Sequence, residues 1–189
     1  RECLPLIYAG APGHGRLIYT FEEDFAAQQE YLDDSVILKT ELTCSDPALE
    51  IVFRDFTPSP DEKEKAAFIR RVTITNTGSQ RFTGSFGHYF HLFLGEVSGK
   101  QAVRYDYDDS RFLQYFRDIA VAVGGTEPDL IRCGKANFDD HRSAKHDLYD
   151  GHLNGQSEDI GQVDFARLHR LQLDPRQSRE LWMCMAFDD

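Results

Sequence analysis

The chain has one tryptophan, two methionines, no CxxC cysteine pair and no long apolar run. Each absence removes a class of function. No stretch approaches the roughly 20 apolar residues that a membrane-spanning helix needs. Cys3, Cys44, Cys133 and Cys184 lie too far apart in sequence for a structural zinc site, whose ligands come in close pairs. In a chain of 189 residues they read as buried or half-buried thiols of a reducing compartment, which points to the cytoplasm. Basic residues are also few: 21 Lys and Arg stand against 32 Asp and Glu, a formal net charge of −11. A field of that sign repels phosphate backbones and anionic lipid, so nucleic acid and membrane are poor partners. Neutral sugars and basic protein surfaces are not opposed. Neither an initiator methionine nor a signal peptide opens the chain at Arg1-Glu2-Cys3-Leu4-Pro5. The expectation is a single domain over residues 1–189, truncated at both ends from a longer protein.

What is present is period-two alternation and an aromatic supply of 14 Phe and 8 Tyr. In Val36–Thr43, Val36, Leu38, Thr40 and Leu42 share one strand face. Leu49–Phe56 sets Leu49, Ile51 and Phe53 against Glu50, Val52 and Arg54; Phe68–Thr75 sets Phe68, Arg70, Val72 and Ile74 against Ile69, Arg71, Thr73 and Thr75. Asp46-Pro47 breaks the chain between the first two strands, and Pro58-Ser59-Pro60 with Asp61–Lys65 reads as a solvated loop. Asn76-Thr77-Gly78-Ser79 reads as a hairpin turn. The long strand Arg81–Leu94 contains Gly84 and Gly87, which predict a bulge or bend. Shorter strands are expected at Ala102–Tyr107, Phe112–Phe116, Ile119–Val123, Leu130–Cys133, Val163–Leu173 and Glu180–Phe187. Only the polar stretch Phe138–Asp150 lacks strand character and is expected to hold a short helix or an ordered loop. The fold class is therefore all-β, an antiparallel sandwich or barrel.

No constellation declares a reaction. His88 and His91 are three apart, so on a strand they face opposite ways and read as packed histidines rather than a metal pair. Gly10, Gly13 and Gly15 precede a strand instead of opening a helix, the wrong context for a phosphate loop. Asp106, Asp108 and Asp109 resemble calcium ligands, but Arg111 and Arg117 stand where a calcium loop needs glycine and glutamate. They read as a solvated acidic turn. Tyr105 and Tyr107 alternate with those carboxylates and could stack on a sugar, but they read rather as a strand with one aromatic core face and one wet face. Trp182, among Leu181, Met183 and Ala186, reads as core. A glycosidase needs two carboxyls at a set separation, and nothing local selects a pair. No GxSxG elbow occurs. No residue is assigned to catalysis, ligand binding or a metal, and no cofactor is expected.

Several of these segments, in this order, resemble a known family. Phe68-Ile69-Arg70-Arg71-Val72-Thr73-Ile74-Thr75-Asn76 followed by Gly87-His88-Tyr89-Phe90-His91-Leu92 is similar to the N-terminal domain of glycoside hydrolase family 15 proteins, of the prokaryotic glucoamylase-like and glucodextranase-like kind. Ala102-Val103-Arg104-Tyr105-Asp106, Asp147-Leu148-Tyr149-Asp150-Gly151-His152-Leu153-Asn154-Gly155 and Gly161-Gln162-Val163-Asp164 continue it. Gly15-Arg16-Leu17 through Tyr31-Leu32-Asp33-Asp34-Ser35-Val36 matches more loosely. The resemblance implies a two-layer antiparallel supersandwich, shaped like galactose mutarotase. It also implies a partner, the protein's own helical catalytic barrel. There the family's two catalytic glutamates hydrolyse α-glucosidic bonds, and neither maps onto this sequence.

Three readings follow. One is a non-catalytic scaffold packed against that barrel, its parent acting on an α-glucan or small saccharide. Another is a free-standing carbohydrate-binding module. The third is an aldose mutarotase-like enzyme, with His88 and His91, then His141, His146 and His152, as first suspects for acid–base chemistry.

Overall fold

The computed structural model describes residues 2–22, 24–58, 67–95, 99–136 and 141–188. In chain order its strands are β1 (Glu2–Ala9), β2 (Arg16–Tyr19), β3 (Ala26–Tyr31), β4 (Leu38–Ser45) and β5 (Ala48–Phe56). They continue as β6 (Ala67–Asn76), β7 (Phe82–His91), β8 (Gln101–Asp106), β9 (Arg111–Phe116) and β10 (Ile119–Gly125). After β11 (Leu130–Lys135) comes the short helix α1 (Ala144–Leu148), then β12 (Glu158–Gly161), β13 (Val163–Leu173) and β14 (Ser178–Asp188). The pairings build two antiparallel sheets, a small one of order β11-β13-β7-β1-β2 and a large one of order β12-β8-β9-β10-β14-β6-β5-β4-β3. This is the expected all-β, two-layer supersandwich, with α1 inside the stretch expected to be helix or loop. The expected Pro-rich, charged loop falls largely on residues 59–66, outside the described residues.

Alternation explains the layering. Odd positions of β13 and even positions of β7 point between the sheets, where Phe90 stacks on Phe165 at 4.7 Å and Phe165 on Phe112 at 4.6 Å. Two apolar clusters fill this space. One is built around Ile51, Phe53, Val72, Phe86 and Leu171, the other around Phe90, Phe112, Val123, Phe165 and Met183. A third cluster lies on the outer face of the small sheet, where α1 lays Ala144 and Leu148 over Leu6, Tyr89, Ala166 and Leu168.

Two expectations need correction. Asn76–Ser79 is not a hairpin: β6 belongs to the large sheet and β7 to the small one, so the turn carries the chain across the sandwich. Buried Asn76 organises the crossing. Its Nδ2 donates to the carbonyls of Gln80 (2.7 Å) and Leu173 (2.9 Å), and its Oδ1 accepts from Gly78 N (2.9 Å). Asn76→Ala strips all three and is expected to lower stability by about 2–3 kcal/mol in a urea titration. Nor does β7 bulge, since its register with β1 and β13 is unbroken. Gly84 and Gly87 serve close approach instead: a Cβ on Gly84 would lie 2.3 Å from the Tyr8 carbonyl oxygen, and one on Gly87 2.4 Å from that of Arg167.

Candidate functional site

A polar layer crosses the sandwich interior between the two apolar clusters. It is made by His88 on β7, Arg167 and His169 on β13, Arg70 on β6 and Asp55 on β5. All five follow the inward alternation of their strands, between Phe86 and Phe90, Phe165 and Leu171, Phe68 and Val72, or just past Phe53. Arg70 and Asp55 form a two-bonded ion pair, 2.7 Å at each contact, and the guanidinium lies over Phe53 at 4.7 Å. Arg167 is 1% exposed, and its hydrogen-bond partners are neutral. Its Nη1 donates to Gly124 O (2.9 Å) and its Nη2 to Thr126 O (2.9 Å) and Trp182 O (3.3 Å). Nη2 also meets His169 Nε2 at 2.9 Å. Burial lowers the guanidinium to about 10.

The same environment keeps the histidines neutral. His88 is 2% exposed, both ring nitrogens lack hydrogen-bond partners among the described residues, and burial followed by Arg70 and Arg167 holds its pKa well below the usual value. His169 falls to about 3, through burial and then Arg167 and Arg179. Its Nε2 must accept from Arg167, so a proton there would set donor against donor.

Outside the small sheet a second cluster latches α1. Asp164, fully buried, accepts from Ser143 Oγ (2.6 Å), Ala144 N (3.0 Å) and Tyr89 Oη (3.2 Å). Burial outweighs these donors and pushes its carboxyl upward. Arg132 pairs with Asp147, and Gly151, at φ 71°, presses against the Tyr8 ring. Lys145 lies over the rings of Tyr19 and Tyr89 and pairs with Glu2 at 3.5 Å.

The histidines singled out in the sequence do not converge as a set. His88 points between the sheets and His91 to the outer face, as parity requires. His141 and His146 do meet, rings 5.9 Å apart beside α1, while His152 is exposed in the following loop. Asp106 and Asp109 pair with Arg111, at 3.8 and 2.5 Å. Among the described residues, no three His, Cys, Asp or Glu side chains come together as a metal site. All four cysteines are free: Cys44 and Cys133 are buried, and Cys3, half-buried, is pushed up to about 11 by burial.

Trp182 is a correction. It is 41% exposed on the outer face of the large sheet, near the Arg71 guanidinium, with Nε1 donating to Glu180 Oε1 (3.1 Å). Its neighbours Leu181 and Met183 are core, and for that reason Trp182 cannot be. Tyr105 and Tyr107 divide similarly: Tyr105 is buried, whereas Tyr107 lies just past the end of β8, 64% exposed, edge-on to Tyr105 at 4.9 Å. Tyr107 borders a groove of about 200 Å³ on the side of the sandwich, whose other walls come from residues 127–131 and from Leu153 and Gly155.

A solved structure of a bacterial glucoamylase complexed with acarbose superimposes on all of this chain, with a TM-score of 0.70 and 10% sequence identity. The fold is shared with a bacterial glucoamylase. This chain spans 27% of that protein's length. No protein-family model matches the sequence, and no curated protein does. In this glucoamylase-like sandwich the segments that carried the resemblance hold packing positions. Phe68, Arg70, Val72, Ile74 and Asn76 face inward, Gly87 admits β13, Tyr89 binds Asp164, and Asp147, Leu148, Gly151 and Leu153 fasten the helix and loop over the small sheet.

Proposed function

We propose that this chain is the non-catalytic N-terminal β-sandwich domain of a longer glycoside hydrolase of glucoamylase type. In that protein it packs against a helical catalytic barrel that hydrolyses α-glucosidic bonds. One observation carries the reading: the whole chain adopts a fold that makes up only 27% of a bacterial glucoamylase. The packing roles of the motif residues support it, because they are spent on building the sandwich and its latch. The four free thiols support a reducing, cytoplasmic setting. Incubated alone with maltose, dextran or trehalose, the chain is expected to release no glucose above the blank. Efficient release would overturn the assignment.

A further inference from the structure

The interior layer has a consequence at the surface. Arg167 is buried with no carboxylate partner among the described residues, a costly arrangement, and it gives its donors to three carbonyls. Two of these, Gly124 O and Thr126 O, belong to the segment that leads into residues 127–129. That segment is pinned at further points. Thr126 N donates to Trp182 O (3.0 Å), and Trp182 N donates to Thr126 Oγ1 (2.9 Å). Asp129 N donates to Leu168 O (2.9 Å), and Arg170 N donates to Asp129 Oδ2 (2.8 Å). The turn after β10 is therefore fixed from inside the core and from β13.

Glu127 and Asp129, both exposed, are what this turn presents. They border the groove whose other features are the exposed ring of Tyr107 and a floor of Tyr105, Ile131 and Leu153. A free aromatic ring offers an apolar face for the C–H side of a sugar. Carboxylate oxygens beside it accept charge-assisted hydrogen bonds from hydroxyls. A groove of about 200 Å³ is smaller than the roughly 300 Å³ at which sites for drug-sized ligands begin, and so suits one or two sugar rings rather than a long segment of polymer. With two carboxylates at the rim and a net charge of −11, an anionic ligand is opposed.

We infer that the groove between Tyr107 and the 127–129 turn binds a neutral saccharide. Tyr107 stacks on the ring, Glu127 and Asp129 accept from its hydroxyls, and Arg167 acts as a positioning residue that holds the turn in register. The inference does not depend on a catalytic partner, since every group belongs to this chain.

The test is a titration of the isotope-labelled chain with maltotriose, followed by backbone amide shifts. The expected result is saturable shifts at millimolar sugar, confined to residues 105–107, 126–131 and 153–155. Tyr107→Ala and Glu127→Gln, both at the surface, are each expected to weaken binding at least tenfold while leaving the thermal unfolding midpoint unchanged. No shifts at tens of millimolar sugar would overturn the site, as would shifts centred elsewhere or variants that bind like the parent. A response to calcium chloride without one to maltotriose would also overturn it, by making the carboxylates a cation site.

Discussion

Between pH 7 and pH 4.5 the protein is expected to lose at least about 2–3 kcal/mol of stability, a large share for a domain whose total margin is about 5–15 kcal/mol. The cause is His88 and His169. In the unfolded chain each protonates near pH 6.5. In the fold His169 resists down to about 3, and His88 is also held well below its usual value. Below about pH 6.5 the unfolded chain therefore binds more protons, and stability falls with pH, by up to about 1.4 kcal/mol per pH unit for each histidine. Above pH 6.5 the contribution is complete. The groups facing the two rings reinforce the effect: Arg70, Arg167 and Arg179 are cationic, and Asp55 is already engaged by Arg70. Half-exposed His91, also lowered, adds in the same sense. Asp164, whose carboxyl is pushed up, acts oppositely, but around the carboxylate range at the acid end of the window. Urea midpoints measured across this range check the expectation. His88→Leu should reduce the slope and leave stability at pH 7.5 within about 1 kcal/mol, since both ring nitrogens already lack partners among the described residues. A midpoint that ignores pH would refute it.

Arg167→Met is expected to lower stability by about 3–5 kcal/mol at neutral pH. Methionine keeps the unbranched apolar stem, so packing changes little and the loss is that of the guanidinium. Two effects oppose each other. Removing a buried charge relieves its desolvation, which is why some buried ionic groups can be replaced at no loss. Here, though, the replacement also takes donors from the carbonyls of Gly124 and Thr126 and from His169 Nε2, while Trp182 O keeps its bond from Thr126 N. Buried acceptors left without a donor cost about 1–3 kcal/mol each, so the orphaned acceptors outweigh the relieved charge. Equilibrium unfolding measures the total. A variant as stable as the parent would mean that the guanidinium is a net burden, with water supplying its bonds.

The fold was legible where strands are half-buried, and the residues show why. Leu49, Ile51 and Phe53 alternate because one side of β5 faces the core. In β3, all six residues are exposed at the edge of the large sheet, so Ala26–Tyr31 carries no pattern. β1 is interrupted by Pro5, which lies one residue beyond the last β1–β2 pair, Leu6 with Tyr19, so its missing N–H falls where that ladder has ended. The turn at Asn76 reads the same whether the chain folds back or crosses to the other sheet, since only the distant Leu173 distinguishes them. The interior layer was within reach. Once Val163–Leu173 is a strand, Arg167 and His169 stand on its apolar face beside Phe165 and Leu171. The groove was not, because its walls come from three separated segments that only the folded chain brings together.

The place of β7 has a further meaning for how the chain reaches this state. It pairs with β1 on one side and β13 on the other, Leu6 with Gly87 and Phe90 with Phe165, so neither neighbour is local in sequence. During synthesis β1 must wait for β7, and β7 for β13, before the small sheet closes. The β3-β4-β5-β6 and β8-β9-β10 meanders of the large sheet can zip earlier, and β14, which emerges after β13, joins them. Assembly is thus expected to be slow and late, with Leu6, Ile7 and Tyr8 of β1 in need of shelter until their partners emerge from the ribosome.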